Sequence, residues 1–270
     1  MQSGASLQMA ERSQTEKAES AAILFSGVSK RFIRADGSEL VALENISLTV
    51  ARRSIVALLG PSGSGKTTLL NMAAGLMTAD AGDIRIGGRS LEQTQWGRIG
   101  YMFQDDRLLP WRSAAENVGL ALEATSMRAA ERRTRSLAML ELMALREFAD
   151  TYPHELSGGM RSRVALARSL VTDADILLMD EPFARLDVQT RAAMHAQLLA
   201  LQADKGLTIL FVTHDAEEAV MLADQIVVLS PRPGRMRDSV AVQLVHPRKI
   251  DMESLSLIAA LRGQIGMAAA

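Results

Sequence analysis

The chain has 270 residues, of which 48% are hydrophobic and 23% are charged, a composition typical of a globular protein. Its net charge of −1 lacks the basic excess that usually accompanies nucleic-acid binding, so we expect no nucleic-acid partner. The absence of cysteine excludes disulfides and thiolate metal sites, and no apolar run approaches the roughly 18 residues of a membrane span.

The first predicted elements follow a polar N-terminal segment. Residues 1–21 contain few large apolar side chains, so we expect a disordered tail, and without an apolar run this tail does not resemble a secretory signal. Short runs rich in apolar and β-branched residues then predict three strands, in ILFSGVSKRF, VALENISLTV and SIVALLG. The third strand runs into a glycine-rich loop, after which TTLLNMAAGLM predicts a helix that ends near Gly75.

The middle and the end of the chain predict an interrupted sheet. One arm of a hairpin is predicted in DIRIGG, and the strand signal is then absent from about residue 112 to 170. Ser113 and Glu116 form a capping-box pattern there, followed by a long charged helical run. Strands return in DILLMDEP, TILFVTHD and QIVVLS, separated by helical segments, and residues 251–270 predict a short amphipathic helix. This alternation predicts a mainly parallel sheet interrupted by a helical subdomain at about residues 107–171.

A nucleotide-binding loop is predicted at residues 60–67, GPSGSGKT, which match G-x-x-x-x-G-K-[ST] between a buried strand and a helix. Glycines at these positions let backbone N–H groups turn onto phosphates, while Lys66 adds a positive charge and the Thr67 hydroxyl can bind Mg²⁺. A chance match is the alternative, and the strand–loop–helix context argues against it. The expected nucleotide-binding residues are Gly60, Pro61, Ser62, Gly63, Ser64, Gly65, Lys66, Thr67 and Thr68.

An acidic pair, Asp180 and Glu181, ends the apolar strand predicted in ILLMDEP. This is the sheet edge at which open α/β folds place ligands. Asp180 can hold Mg²⁺ through its waters, and Glu181 is free to polarise an attacking water. The alternative is that the pair only caps the following helix. Beside a phosphate loop, we expect the pair to serve hydrolysis.

Taken together, these segments resemble the ATP-binding subunit of an ABC transporter over about residues 23–245. The motifs occur in the family's order, and they include a second glycine-containing helix start, LSGGM, which matches the signature usually written LSGGQ. The further matches are Phe32 to the aromatic that stacks on adenine, Gln104 to the Q-loop, Asp187 to the D-loop and His214 to the switch histidine. Singly each match is weak, since Phe32 also suits the core and a histidine near a strand end is often structural.

The resemblance implies a P-loop NTPase (RecA-like) α/β core over residues 22–250, with an antiparallel β subdomain and the inserted α-helical subdomain. It implies ATP and Mg²⁺ as cofactors, with the catalytic residues Glu181, His214 and Lys66 and the metal-site residues Thr67, Gln104 and Asp180. It also implies an ATP-dependent homodimer. In that dimer the phosphate loop of one copy faces the signature of the other, Ser157, Gly158, Gly159 and Met160, at the start of a helix whose dipole favours phosphate.

Finer details point to a subfamily. The segments FQDDRLLPW, YPHELSGGMR and VVLSPRPGR are similar to those of nitrate, sulfonate, taurine and bicarbonate importers. This similarity implies a peripheral subunit on the cytoplasmic face of the inner membrane, which works with an integral membrane permease and indirectly with a solute-binding protein. It also implies uptake of a small anion or a similar solute.

Some positions depart from the family pattern. Met160 replaces the signature glutamine, a change common in this subfamily, and Ser162 stands where glutamine is usual. Ala184 and Arg185 stand where glycine and alanine are usual, and this pair could alter subunit contacts at the D-loop. Since none of these changes removes a phosphate-facing group, we expect an active ATPase.

Three alternatives stay open at this point. The main one is a soluble ABC ATPase not coupled to transport, although such proteins usually carry two cassettes or long coiled-coil insertions. A regulatory nucleotide-binding module with little turnover is disfavoured by Glu181 and His214, and export is the alternative within transport. We also expect Leu108, Leu109 and Trp111 to help dock the permease, although at least one of them is expected to pack inside the domain.

Overall fold

The computed structural model describes residues 21–266. The tail expected at residues 1–21 lies outside this range, except for Ala21, and so do the last four residues of the C-terminal segment. No helix within residues 21–266 combines the length and the apolar character that crossing a membrane requires.

The smaller of two sheets is antiparallel and has the strand order β2-β1-β4-β5. Its strands are β1 (Ala21–Ile33), β2 (Glu39–Ala51), β4 (Ala81–Ile86) and β5 (Arg89–Ser90). The last two form the hairpin predicted around DIRIGG, which is confirmed. This sheet is the antiparallel β subdomain of the predicted fold.

The larger sheet has the strand order β10-β9-β3-β8-β7-β6 and is parallel except for β10. Its strands are β3 (Ile55–Leu59), β6 (Ile99–Met102), β7 (Ile176–Asp180), β8 (Thr208–Thr213), β9 (Gln225–Leu229) and β10 (Met236–Ala241). Every residue of β3, β7 and β8 is buried, as expected for strands covered on both faces. The predicted mainly parallel sheet is therefore confirmed, whereas β6 and β10 were not anticipated.

Seven α-helices accompany the sheets within the described residues. They are α1 (Lys66–Ala73), α2 (Ala114–Gly119), α3 (Ala129–Leu142), α4 (Gly158–Leu170), α5 (Val188–Lys205), α6 (Ala216–Leu222) and α7 (Met252–Gly266). Helices α2, α3 and α4 pack together between β6 and β7 in the chain, within the segment where the helical subdomain is expected. Helix α7 packs on α6 and buries Ile258 and Leu261.

The capping box predicted before α2 is confirmed. The Ser113 hydroxyl accepts a hydrogen bond from the Glu116 N–H, and the Glu116 carboxylate accepts one of 2.8 Å from the Ser113 N–H. These two bonds satisfy N–H groups that a helix start leaves without partners. The start of the helical subdomain is thereby fixed by its own sequence.

The two faces of the large sheet pack against different layers. On β3, Ile55, Ala57 and Leu59 belong to the core on the helical side, whereas Val56 and Leu58 pack with α1 and the antiparallel sheet. This alternation follows from the twofold side-chain period of a strand. Because β3, β7 and β8 are parallel, their carboxyl ends meet at one edge, which brings the phosphate loop and the acidic pair together.

Candidate active site

The phosphate loop connects β3 to α1 and lies tightly against β2. Gly65 has a φ of 87°, which favours glycine. A Cβ placed there would also lie 2.6 Å from Cδ2 of Leu43 and 3.0 Å from the carbonyl oxygen of Ala42. Both the backbone conformation and the close approach therefore require glycine, and they fix where α1 begins.

The Lys66 ammonium lies inside this loop. It is buried and donates hydrogen bonds to the carbonyl oxygens of Gly60 (2.8 Å) and Pro61 (2.9 Å). Burial lowers the pKa of Lys66, and the nearby carboxylates of Glu181 and Asp180 oppose that shift. A buried cation gains from an anionic ligand, and a nucleotide phosphate fits that need.

Asp180 and Thr67 form a pair of oxygen ligands beside the loop. The Thr67 hydroxyl donates a hydrogen bond of 2.9 Å to Oδ1 of Asp180. Burial raises the pKa of Asp180, while this hydrogen bond opposes the shift. Within residues 21–266, no three His, Cys, Asp or Glu side chains cluster as a metal cage. A carboxylate and a hydroxyl next to a phosphate site do fit Mg²⁺, which typically takes one or two protein oxygens and completes its coordination with waters and phosphates.

Glu181 is contacted by residues from two other segments of the chain. It follows β7 with a φ of 45°, an uncommon value for a residue other than glycine. Its Oε2 accepts a hydrogen bond of 3.2 Å from Nε2 of Gln104 and lies 3.5 Å from Nδ1 of His214. Two residues that are distant in the sequence, Gln104 and His214, are thus brought to one carboxylate. The same hydrogen bond leaves the amide oxygen of Gln104 available as a ligand.

A cleft of about 400 Å³ opens above these groups. Phe32 is half-buried in its wall and belongs to neither hydrophobic core, which disfavours the alternative that it is a core residue. Arg232 also lines the cleft and was not anticipated from the sequence. The lining residues are Phe32, Leu40, Ala42, Ser62, Gly63, Gly65, Lys66, Thr67, Thr68, Gln104, Glu181 and Arg232.

Three of the predicted loop residues do not line this cleft. Gly60 and Pro61 face Lys66 through their carbonyl oxygens instead. The Ser64 side chain is fully buried, and its hydroxyl has no hydrogen-bond partner among the described residues. Any contact of Ser64 with a ligand must therefore come from its backbone.

The signature segment lies at the start of α4. The Ser157 hydroxyl accepts a hydrogen bond of 3.2 Å from the Met160 N–H, so Ser157 is the N-cap of this helix. Ser157 and Gly158 are exposed, whereas Met160 packs against the helical core. None of the four predicted signature residues lines the nucleotide cleft of its own chain. Within a single copy, the signature residues therefore do not contribute to the nucleotide cleft.

The D-loop residue Asp187 caps α5. Its carboxylate accepts hydrogen bonds from the N–H groups of Gln189 (3.1 Å) and Thr190 (3.0 Å). The hydrogen bond from the Thr190 side chain, followed by that from its backbone, lowers the pKa of Asp187.

The two unusual D-loop residues differ in their contacts. Arg185 forms an ion pair of 2.5 Å with Asp105, which directly follows Gln104. The neighbouring Asp106 pairs at 3.0 Å with Arg161 of α4. Arg185 therefore links the Q-loop to the D-loop, whereas we find no comparable role for Ala184.

Comparison with known proteins agrees with this geometry. The family model described as ABC transporter matches residues 43–184. A taurine import ATP-binding protein of Rhizobium johnstonii is 46% identical over 200 residues, which cover 74% of this chain and 76% of the relative. An uncharacterized ABC transporter ATP-binding protein of Methanocaldococcus jannaschii is 42% identical over 213 residues, 79% of each chain.

A solved structure shows the same fold. The ATP-binding cassette MJ0796, in a dimeric post-hydrolysis state bound to ADP and Pi, matches with a TM-score of 0.73 and 30% identity, over 83% of this chain and 100% of that chain. The predicted α/β fold is confirmed by this likeness and by the two sheets. With its phosphate loop, acidic pair and signature helix, the chain belongs to the ABC transporter family, as an ATP-binding and ATP-hydrolysing subunit.

Proposed function

We propose that this chain powers the import of a small sulfonate or a related anion through a separate permease, from the cytoplasmic face of the inner membrane. The observation that carries the chemical part is the convergence of Gln104 and His214 on the Glu181 carboxylate beside the phosphate loop. The import part is supported by the relative that is named as a taurine import ATP-binding protein. A permease and, indirectly, a solute-binding protein complete the proposed system.

The residues divide the work of hydrolysis. Lys66 and the loop amides hold the phosphates, and Phe32 stacks on the adenine. Thr67, Asp180 and Gln104 would hold Mg²⁺, which would supply positive charge to the phosphate oxygens. Glu181 accepts a proton from the attacking water, and His214 and Gln104 hold its carboxylate in place.

A second copy of the chain completes each site in this proposal. The signature of one copy offers the Ser157 hydroxyl and the N–H groups at the start of α4 to the terminal phosphate bound by the other copy. This explains why the signature needs no lysine of its own, since Lys66 of the opposite copy supplies that charge. ATP then holds two copies together, and hydrolysis lets them separate.

The proposed permease contact centres on Trp111, whose exposure is 70%. The buried Asn117 amide holds the segment in front of α2, because its Nδ2 donates to the carbonyl oxygens of Leu109 and Arg112 and its Oδ1 accepts from the Leu109 N–H. Leu108 is buried in the helical core, so it is the member of this group that packs inside. A large apolar side chain on a rigid loop is the kind of feature that anchors a protein interface.

Trp111→Glu is expected to reduce transport by about tenfold or more, while the ATPase activity of the purified subunit stays within about twofold of the original. The charge removes the anchor without touching the nucleotide cleft. Solute uptake in cells and ATPase activity of the isolated protein provide the two readings. The matched control is Val245→Glu, at an exposed apolar residue outside the helical subdomain. Normal uptake by the Trp111 variant would contradict the proposed contact.

The transported solute is tested by uptake in a strain that lacks this chain. We expect uptake of taurine or another alkanesulfonate to be lost and to return with the original gene but not with a Lys66→Ala variant. Nitrate and bicarbonate serve as parallel substrates. If uptake of none of these anions depended on the chain, the import proposal would fail, and a soluble ATPase not coupled to transport would be favoured.

A further inference from the structure

The loop that joins β9 to β10, residues 230–235, lies directly against the phosphate loop. A Cβ placed on Gly234 would lie 2.1 Å from the carbonyl oxygen of Ser64, and one on Gly60 would lie 2.9 Å from that of Leu229. The two backbones are therefore in contact on both sides of the turn. The backbone of this loop is therefore held in a fixed position relative to the phosphate loop. A side chain that extends from the loop toward the cleft starts from that fixed position.

The same loop is also joined to β2. The Gly234 N–H donates to the carbonyl oxygen of Ala42 (2.9 Å), and the Glu44 N–H donates to that of Gly234 (2.9 Å). Arg235 adds an ion pair of 2.7 Å with Glu44. The loop therefore bridges the phosphate loop and the strand that lies beside Phe32.

Internal hydrogen bonds hold the shape of the turn. The Ser230 hydroxyl donates to the carbonyl oxygen of Pro233 (2.9 Å) and accepts from the Arg235 N–H (3.0 Å). The Ser230 N–H donates in turn to the carbonyl oxygen of Arg235 (2.9 Å). The turn is thus closed on itself, with Arg232 at its tip.

Arg232 brings a second positive charge to the cleft. Its Nη2 lies 3.3 Å from the position of a Cβ on Gly63 in the phosphate loop. Lys66 and Arg232 are the two basic residues among those that line the cleft. The Lys66 ammonium is buried and held by two carbonyl oxygens, whereas the Arg232 guanidinium is exposed at the cleft. A guanidinium can donate two parallel hydrogen bonds to a phosphate group.

We propose that Arg232 is a nucleotide-binding residue, whose guanidinium contacts the phosphate chain of ATP or ADP beside Gly63. This inference rests on the nucleotide site proposed above and adds to it a contact from outside the phosphate loop. The contact makes nucleotide affinity depend on the turn at residues 230–235. Since the contact is to phosphate, it does not distinguish between bases.

The test compares Arg232→Gln with Arg237→Gln, a control just beyond the loop whose guanidinium donates to the carbonyl oxygen of Gln264. Dissociation constants for ADP, the non-hydrolysable analogue AMP-PNP and adenosine are measured by calorimetry. Thermal unfolding of each variant checks that the fold is retained. Arg232→Gln is expected to weaken the binding of ADP and of AMP-PNP by about tenfold and to leave the affinity for adenosine unchanged. Arg232→Lys should recover part of the loss, because it restores the charge.

Two results would overturn the proposal. One is unchanged affinity of Arg232→Gln for both ADP and AMP-PNP, which would leave the guanidinium without a phosphate contact. The other is an equal loss of affinity for adenosine, which would indicate that Arg232 contacts the base or the ribose. Failure of the original chain to bind ADP would instead contradict the nucleotide site itself, so the two failures are distinguishable.

Discussion

Glu181→Gln is expected to lose most ATP turnover while it still binds ATP. The amide is nearly isosteric with the carboxylate and leaves the phosphate loop untouched, but it cannot accept a proton from the attacking water. General-base catalysis contributes typically about 10²-fold to 10⁴-fold, and a loss of that size is expected in the turnover number. Because ATP stays bound, a nucleotide-trapped dimer should accumulate.

Phosphate release by the purified protein measures the turnover, and size-exclusion chromatography with ATP measures the dimer. Glu217→Gln is the matched control, since Glu217 lies on α6 and pairs with Arg262. The control should keep normal turnover. Near-normal turnover in the Glu181 variant would remove Glu181 from the catalytic role.

The sequence predicts the central strands well because they are continuous apolar runs. Strands β3, β7 and β8 are buried on both faces, so each is apolar at almost every position. Strand β6 escaped prediction because it has four residues, one of them Gly100, where a Cβ would lie 2.1 Å from the carbonyl oxygen of Ser169. Only the packing of α4 on the sheet explains that glycine.

Strand β10 is not predicted from the sequence for a different reason. It is an edge strand in which half-buried residues alternate with exposed ones, and its middle residues are Arg237, Asp238 and Ser239. Its half-buried face consists of Met236, Asp238 and Val240, so an aspartate interrupts the apolar alternation of a strand that pairs with β9 through its backbone. Hydrophobic periodicity therefore carries little signal for it.

In the active site too, some features can be predicted from the sequence and others cannot. The phosphate loop and the acidic pair are contiguous in sequence, so their chemistry can be recognised locally. The contacts of Gln104 and His214 with Glu181 join three distant segments, and only the resemblance to a family placed them together. Arg232 lies in the segment VVLSPRPGR, which is similar to the importer family, but its position beside Gly63 follows from the turn geometry alone.

The second large effect is expected from substitutions of Lys66 and Ser157. Each substitution should damage a different part of one shared site. Lys66→Ala removes the buried charge of the phosphate loop, and it is expected to weaken ATP binding roughly 100-fold. Ser157→Arg places a large cation at the exposed start of α4. The loss of its N-cap bond costs only about 1 kcal/mol, so the fold should survive. Each variant is expected to be inactive as a homodimer.

A mixed dimer of these two variants distinguishes a shared site from a separate one. If the signature acts on the opposite copy, both lesions fall in one composite site and the other site is intact. The mixed dimer should then hydrolyse ATP above the level of either homodimer. If the signature acts within its own chain, both sites are damaged and activity stays at the homodimer level. ATPase assays on dimers purified through two different tags provide the comparison.

The structure also determines where cysteines can report on the shared site. Ser62 is exposed in the phosphate loop, whereas Ser64 is fully buried. A Cβ on Gly158 would have its nearest neighbour at 3.9 Å, whereas one on Gly159 would lie 2.4 Å from Cγ2 of Thr190. The natural chain contains no cysteine, so introduced ones are the only thiols. Ser62→Cys and Gly158→Cys are therefore the suitable pair.

The most direct test of the shared ATP site is the disulfide between these two cysteines, carried on separately tagged copies so that only a link between chains can form. Oxidation is carried out with and without ATP, in the Glu181→Gln background, which is expected to block hydrolysis. The shared-site account predicts that ATP increases the crosslinked fraction and that Lys66→Ala in both copies abolishes the increase. A crosslinked fraction that ATP leaves unchanged would contradict the account.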